Sequence, residues 1–131
     1  MNDERFEQEC KKLLDDATQH IMKTKGREYA GDGDRLKNFK RGSTNVGVNP
    51  ETCLFIYAQK HYDSITTFIR DLEKKIASGG CMSDVTSKMS EPIQERIKDL
   101  INYLLLLNGL LVERQEAEDG PPVPRYPMFK S

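Results

Sequence analysis

The 131-residue sequence predicts an all-α fold, a helical bundle of about four helices with a proline-rich extended C-terminal tail. Three observations support this prediction. Apolar residues recur at spacings of three and four in several segments, glycine, proline and asparagine residues bound those segments, and no run alternates as a strand would. The length suits one domain, which we assign to residues 1–114, with the tail at residues 115–131.

The first helix is predicted from Asp3 to about Lys23, where apolar side chains follow helical spacing and Gly26 offers a stop. A polar turn comes next. It leads into a short helix that presents Leu36 and Phe39 to the core.

The second long helix is predicted to begin at Asn49 and Pro50, because asparagine caps helices and proline suits the first helical position. It runs to about Ile76, where residues 78–80 break it. The side chains on its predicted buried face are Leu54, Ala58, His61, Ile65, Phe68, Ile69, Leu72 and Ile76. Ser90 and Pro92 open the last helix, which is predicted to end near Arg114.

Composition narrows the functional class. Twenty basic and 21 acidic residues give a net charge of −1, which argues against nucleic acid or a membrane surface as the partner. The three cysteines form neither a zinc pattern nor a disulfide framework, which predicts a reducing cytoplasm. The longest apolar stretch, residues 104–107, is too short to span a bilayer.

A row of polar residues enters the last helix. Glu91, Glu95, Asp99 and Asn102 follow a helical stripe in an otherwise apolar segment. Carboxylates one turn apart repel each other, and a divalent cation would remove that repulsion. We therefore predict a magnesium site formed by Glu91, Glu95 and Asp99, with Asn102 orienting a base or ribose. The alternative is that the two glutamates are solvated and pair with Arg96 or Lys98.

Two further clusters carry candidate chemistry. The first comprises Lys60, His61 and Ser64 of the second long helix, where His61 could face Glu95 or Asp99 as a base, a ligand or an ion-pair partner. Lys60 and Ser64 could reach the phosphates of a nucleotide, although a solvated helix face explains both equally well. Residues 23–41 hold seven basic residues against three acidic ones, which suits phosphate groups, although a solvated loop explains them equally well. The phosphate-binding candidates in this segment are Arg27, Arg35, Asn38 and Lys40.

Several blocks resemble one family. They are Arg27-Glu28-Tyr29-Ala30, Asp34-Arg35-Leu36-Lys37-Asn38-Phe39-Lys40, Gly47-Val48-Asn49-Pro50-Glu51, Lys60-His61-Tyr62-Asp63-Ser64-Ile65, and Glu95-Arg96-Ile97-Lys98-Asp99-Leu100-Ile101-Asn102-Tyr103 with the four leucines that follow. Together they resemble small phage-encoded proteins related to the nucleotide-modification-associated, MazG-like all-α nucleotide pyrophosphohydrolases. The resemblance covers most of residues 23–113.

The resemblance implies magnesium-dependent cleavage of a nucleoside triphosphate to monophosphate and pyrophosphate. Asp99 matches the aspartate of the family's second metal motif, whereas Arg96 stands where a glutamate is expected. Lys60, His61 and Ser64 stand where the first motif carries glutamates. The resemblance adds Tyr29 and Tyr103 to the nucleotide-binding candidates, and the catalytic candidates are Lys60, His61, Glu95 and Asp99.

Three functions follow as expectations for a phage or prophage protein in the host cytoplasm. The first is a magnesium-dependent nucleotide pyrophosphohydrolase. The second is a non-catalytic binder that sequesters a nucleotide signal of host defence, and the third is an inhibitor of a host protein. A homo-oligomer is also expected, because the last helix is apolar nearly all round from Leu104 to Val112. The tail would pack on its own bundle or on a neighbouring subunit.

Overall fold

A computed structural model describes residues 1–22 and 36–120 of the chain. These ranges contain helices α1 (Asp3–His20), α2 (Lys37–Val46), α3 (Pro50–Ala77), α4 (Met82–Thr86) and α5 (Ile93–Glu118). No strand occurs within them, so the all-α prediction is confirmed for the described residues. The predicted stop at Gly26 and the proline-rich residues 121–131 lie outside these ranges.

The helix ends follow local sequence signals. Asn2 caps α1, and its side-chain oxygen accepts a hydrogen bond from the Arg5 backbone N–H at 2.9 Å. Asn49 occupies the cap position of α3 and Pro50 its first turn, as predicted. Gly47 ends α2 with φ of 72°, in the left-handed region that glycine adopts without a steric penalty.

The long helices α3 and α5 form the principal packing contact, and they are antiparallel. Glu51 at the start of α3 pairs with Arg114 near the end of α5, and Ser64 later in α3 meets Arg96 near the start of α5. Helix α2 packs against α3, α1 against α5, and the short α4 against α3. The central apolar cluster joins α2, α3 and α5 through Phe39, Leu54 and Leu110.

Three sequence predictions differ from the structure. Ile69 and Ile76 were assigned to the buried face of α3, and this was wrong, because both side chains are more than half exposed within the chain. Helix α5 ends at Glu118, beyond the predicted end near Arg114, so residues 115–118 are helical. The short helix α4 was not predicted. It begins where the Cys81 backbone N–H donates to the Asp84 carboxylate at 2.8 Å.

No helix in the described part of the chain is both long enough and apolar enough to cross a lipid bilayer.

Candidate functional site

The site begins with His61 on α3 and Asp99 on α5. The His61 Nδ1 and the Asp99 Oδ2 are 3.9 Å apart, and the two side chains are 25% and 18% exposed. The sequence offered Glu95 or Asp99 as the residue opposite His61, and the structure places Asp99 there. A carboxylate beside Nδ1 leaves Nε2 as the second polar atom of the ring.

Tyr103 lies against the same imidazole. The ring centroids of His61 and Tyr103 are 4.9 Å apart with an interplanar angle of 31°. Tyr103 also meets the edge of Phe39 at 6.3 Å, which ties it to the central apolar cluster. These contacts fix the orientation of both rings, because packed aromatic side chains have few alternative rotamers.

Arg96 crosses from α5 to α3. Its Nη1 donates to the Ser64 Oγ at 2.6 Å, and its Nε lies 3.7 Å from the Glu91 Oε1. Sequence reasoning did not select Arg96 as a site residue. The available signal was its spacing, since it precedes Asp99 by three positions and Tyr103 by seven and so shares their side of the helix.

The predicted magnesium ligands have cationic neighbours. Glu95 binds the ammonium group of Lys98 at 2.8 Å, and its hydrogen bond raises the pKa of Lys98. Glu91 lies beside Arg96. Within residues 1–22 and 36–120, no three histidine, cysteine or acidic side chains form a group suited to a metal ion. These ion pairs match the alternative given for the two glutamates, and magnesium binding stays a prediction.

Asn102 is the most unusual residue of the site. Its side chain is 3% exposed, and neither its Oδ1 nor its Nδ2 makes a hydrogen bond in the described part of the chain. A buried polar group without a partner costs about 1–3 kcal/mol. Asn102 follows Asp99 by three positions and directly precedes Tyr103, so a buried amide adjoins the His61–Asp99 pair along α5. We call His61, Ser64, Arg96, Asp99 and Asn102 the polar cluster.

A cavity of about 690 Å³ adjoins this cluster, between α3, α4 and the start of α5. Four cations line it, Lys74, Lys75, Lys88 and Arg96, against the two acids Asp71 and Asp84, and Phe68 contributes apolar surface. Arg96 lines the cavity and also belongs to the polar cluster, so the two are neighbours in the fold. Sequence reasoning missed the three lysines, since they come from separate segments of the chain.

The other predicted residues are dispersed or not described. Lys60 is exposed on α3, and Lys40 on α2 pairs with Glu113 of α5 at 2.7 Å. Arg27, Tyr29 and Arg35 lie outside the described residues, as does the side chain of Asn38.

Comparisons with protein-family models, curated proteins and solved structures found no match for this chain. The resemblance to the MazG-like proteins therefore stays a prediction from the sequence blocks. The geometry of the polar cluster and its cavity is the basis for a functional proposal.

Proposed function

We propose that this protein binds a nucleotide at the polar cluster. The observation that carries this proposal is the buried side-chain amide of Asn102, which has no hydrogen-bond partner in the described part of the chain. An amide offers a donor and an acceptor side by side, and the edge of a nucleobase presents the complementary pair. Tyr103 follows Asn102 directly in the sequence, and its ring lies 4.9 Å from that of His61, so the two residues offer flat rings against which a base can stack.

The cationic cavity suits the phosphates of the same ligand. Arg96 precedes Asn102 by six positions, which corresponds to about 9 Å along the helix axis. A guanidinium group binds phosphate oxygens through two parallel hydrogen bonds, and the lysines of the cavity add positive charge. The base would therefore lie toward Asn102 and the phosphates toward Arg96.

Hydrolysis of the nucleotide is a more specific proposal, which follows from the resemblance of the sequence blocks to the MazG-like pyrophosphohydrolases. Magnesium, when bound, would polarise the phosphate that is attacked. Its ligands would be Glu91, Glu95 and Asp99. To bind the cation, the carboxylates of Glu91 and Glu95 would have to leave Arg96 and Lys98, respectively. His61 would hold a proton at Nε2 while the Asp99 carboxylate orients the ring through Nδ1.

Binding without turnover is the second candidate, and the same ion pairs favour it. Glu95 and Glu91 both have a cationic neighbour on α5, which lowers the negative charge available to a cation. Arg96 is then a direct phosphate contact. In this case the protein would sequester a nucleotide, including a nucleotide signal of host defence.

We also propose that this binder acts as a homo-oligomer in the cytoplasm. Leu104 and Leu105 remain at least two-fifths exposed in the single chain, which is unusual for leucines in the middle of a long helix. The cysteines of the chain are free thiols, as a reducing compartment would leave them.

The test is to incubate the full chain with a panel of linear and cyclic nucleotides, with and without magnesium. After heat denaturation, every nucleotide is quantified by chromatography with mass detection. Retention of one nucleotide before denaturation supports the binding site, and conversion to monophosphate establishes hydrolysis. If hydrolysis occurs, Asp99→Asn should abolish it, and unchanged turnover would refute the role of Asp99. A panel neither retained nor converted would refute the proposed function.

A further inference from the structure

A row of exposed apolar side chains runs along α3. Phe55, Tyr62, Ile69 and Ile76 recur every seven residues, and they are 58%, 56%, 54% and 57% exposed. A seven-residue spacing keeps side chains on one stripe of a helix, because it corresponds to almost two full turns. The stripe therefore continues along the whole helix and is not covered by the chain's own core.

A second row with the same spacing runs along α5. Ile97, Leu104 and Leu111 recur every seven residues, and the last two are each 50% exposed. No charged residue occurs on this side of α5 from Ile93 to Gln115. The residues on this side are Ile93, Gln94, Ile97, Leu100, Ile101, Leu104, Leu105, Asn108, Leu111, Val112 and Gln115. Such depletion of charge is typical of the centre of a protein interface.

Both rows lie on the same side of the α3–α5 pair. Viewed from its own N-terminus, each helix carries its exposed row on the same rotational side of the residues that contact the other helix. Because the helices are antiparallel, this places Tyr62 of α3 and Leu104 of α5 on one common side of the pair. The other side of the pair carries Tyr57 of α3 and Lys98 of α5. The ring centroids of Tyr57 and Phe39 of α2 are 6.2 Å apart, and Lys98 lines a cavity together with residues of α1. The rows therefore form one apolar face, opposite α1 and α2.

The area of this face fits a stable interface. Six of its side chains, from Phe55 to Leu111, are half exposed or more. At about 150–250 Å² for each aromatic side chain, and less for each isoleucine or leucine, they present roughly 500 Å² together. That figure lies in the upper part of the range for the largest apolar patch on a typical monomer, about 300–600 Å². With the partly exposed Ile65, Ile97 and Leu100 beside them, the face approaches the roughly 800 Å² per partner of a standard interface.

We propose that this apolar face binds a second copy of the same chain. Both helices of the face carry the same seven-residue spacing, so a two-fold axis can place the face on its own copy and let apolar rows interdigitate. The product has four long helices around one apolar core, which is the arrangement of a four-helix bundle. The described part of a single chain supplies two of these helices, and its core leaves both rows exposed.

The test is the molar mass of the full chain in solution, measured by light scattering during size-exclusion chromatography. The wild type should have twice the chain mass of 15.0 kDa. Ile69→Lys on α3 and Leu104→Lys on α5 should each reduce the mass to that of one chain, because a buried lysine without a partner opposes association. Circular dichroism checks that both variants remain helical, which their exposure in the single chain predicts.

The control is Val46→Lys. Val46 is an exposed apolar residue at the end of α2 and outside the face, so this variant should keep the doubled mass. A chain that ends at Gly120 should keep it as well. A wild type of single-chain mass, or a doubled mass in both face variants, would overturn the proposal. Loss of the doubled mass in the shortened chain would assign the contact to residues 121–131 and would also overturn it.

Discussion

Replacement of Asn102 by leucine is the most decisive single change, because it should move stability and binding in opposite directions. Leucine has the same number of side-chain heavy atoms as asparagine and the same branching at Cγ, although its two methyl groups are bulkier than the amide. The substitution therefore keeps the outline of the side chain while it removes a polar group from a residue that is only 3% exposed. Relief of the unpartnered amide should stabilise the ligand-free protein by about 1–3 kcal/mol. For a chain of this size, that corresponds to an increase in Tm of roughly 4–12 °C.

Nucleotide binding should weaken in the same variant. A paired donor and acceptor contact from an asparagine to a base is worth about 1–3 kcal/mol. The Kd should therefore rise about 5- to 150-fold. A gain in stability with a loss of function is the behaviour expected of a residue retained for binding at the expense of folding.

The assay combines urea unfolding in the absence of ligand with calorimetric titration of the nucleotide retained in the panel experiment. The control is Asn45→Leu, which replaces an exposed asparagine of α2 outside the apolar face and should change neither quantity appreciably. Destabilisation of Asn102→Leu by several kcal/mol would show that the amide has a partner in the folded chain. An unchanged Kd would show that it does not contact the ligand. Either result would refute the reasoning.

Three further predictions test the site and the packing around it. Arg96→Lys should weaken nucleotide binding at least tenfold at low salt, because an ammonium group lacks the planar set of donors with which a guanidinium group can contact Ser64 and a phosphate at once. An affinity equal to that of the wild type would exclude Arg96 as the phosphate contact. Phe39→Ala should lower the free energy of unfolding by about 3–5 kcal/mol, because its ring is buried between Tyr57 and Tyr103, and urea unfolding measures this. The hydrogen bond from Arg114 holds the pKa of Glu51 below its ordinary value of 4.5. The stabilisation from the ionised Glu51 carboxylate is therefore present at a pH above the unfolded-state pKa, and it is lost as the pH falls through the lower folded-state pKa. In Glu51→Gln, the free energy of unfolding should depend less steeply on pH below about 4.5. The same pH dependence as the wild type in this range would contradict the stabilising role of the Glu51–Arg114 pair.

The helices themselves were predictable because their signals are local. The cap position of Asn49, the proline at the start of α3 and the spacing of Leu36 and Phe39 act over a few residues. The four-residue extension of α5 was missed because residues 115–118 are three polar residues and one alanine, which carry no periodic apolar signal. The five-residue α4 is too short for periodicity to reveal.

The site was predictable only in part. The spacing of Glu91, Glu95, Asp99 and Asn102 pointed to the unusual polarity at the start of α5, although Glu91 lies just before the helix begins. It left open whether Glu95 pairs with Lys98, and it did not show that Arg96 reaches Ser64, which depends on the neighbouring helix. The cavity lysines could not be selected either, because α3 and α4 bring them together only in the folded chain.

The sequence by itself determined where the longer helices begin and that α3 and α5 carry apolar residues over more than one face. Only the tertiary structure decided which of those faces the chain covers. His61 meets Asp99, Asn102 is buried without a partner in the described residues, and Ile69 stays exposed. The physical reason is that helix formation depends on neighbours within a few positions. Burial depends instead on contacts between residues far apart in the chain, which periodicity alone does not specify.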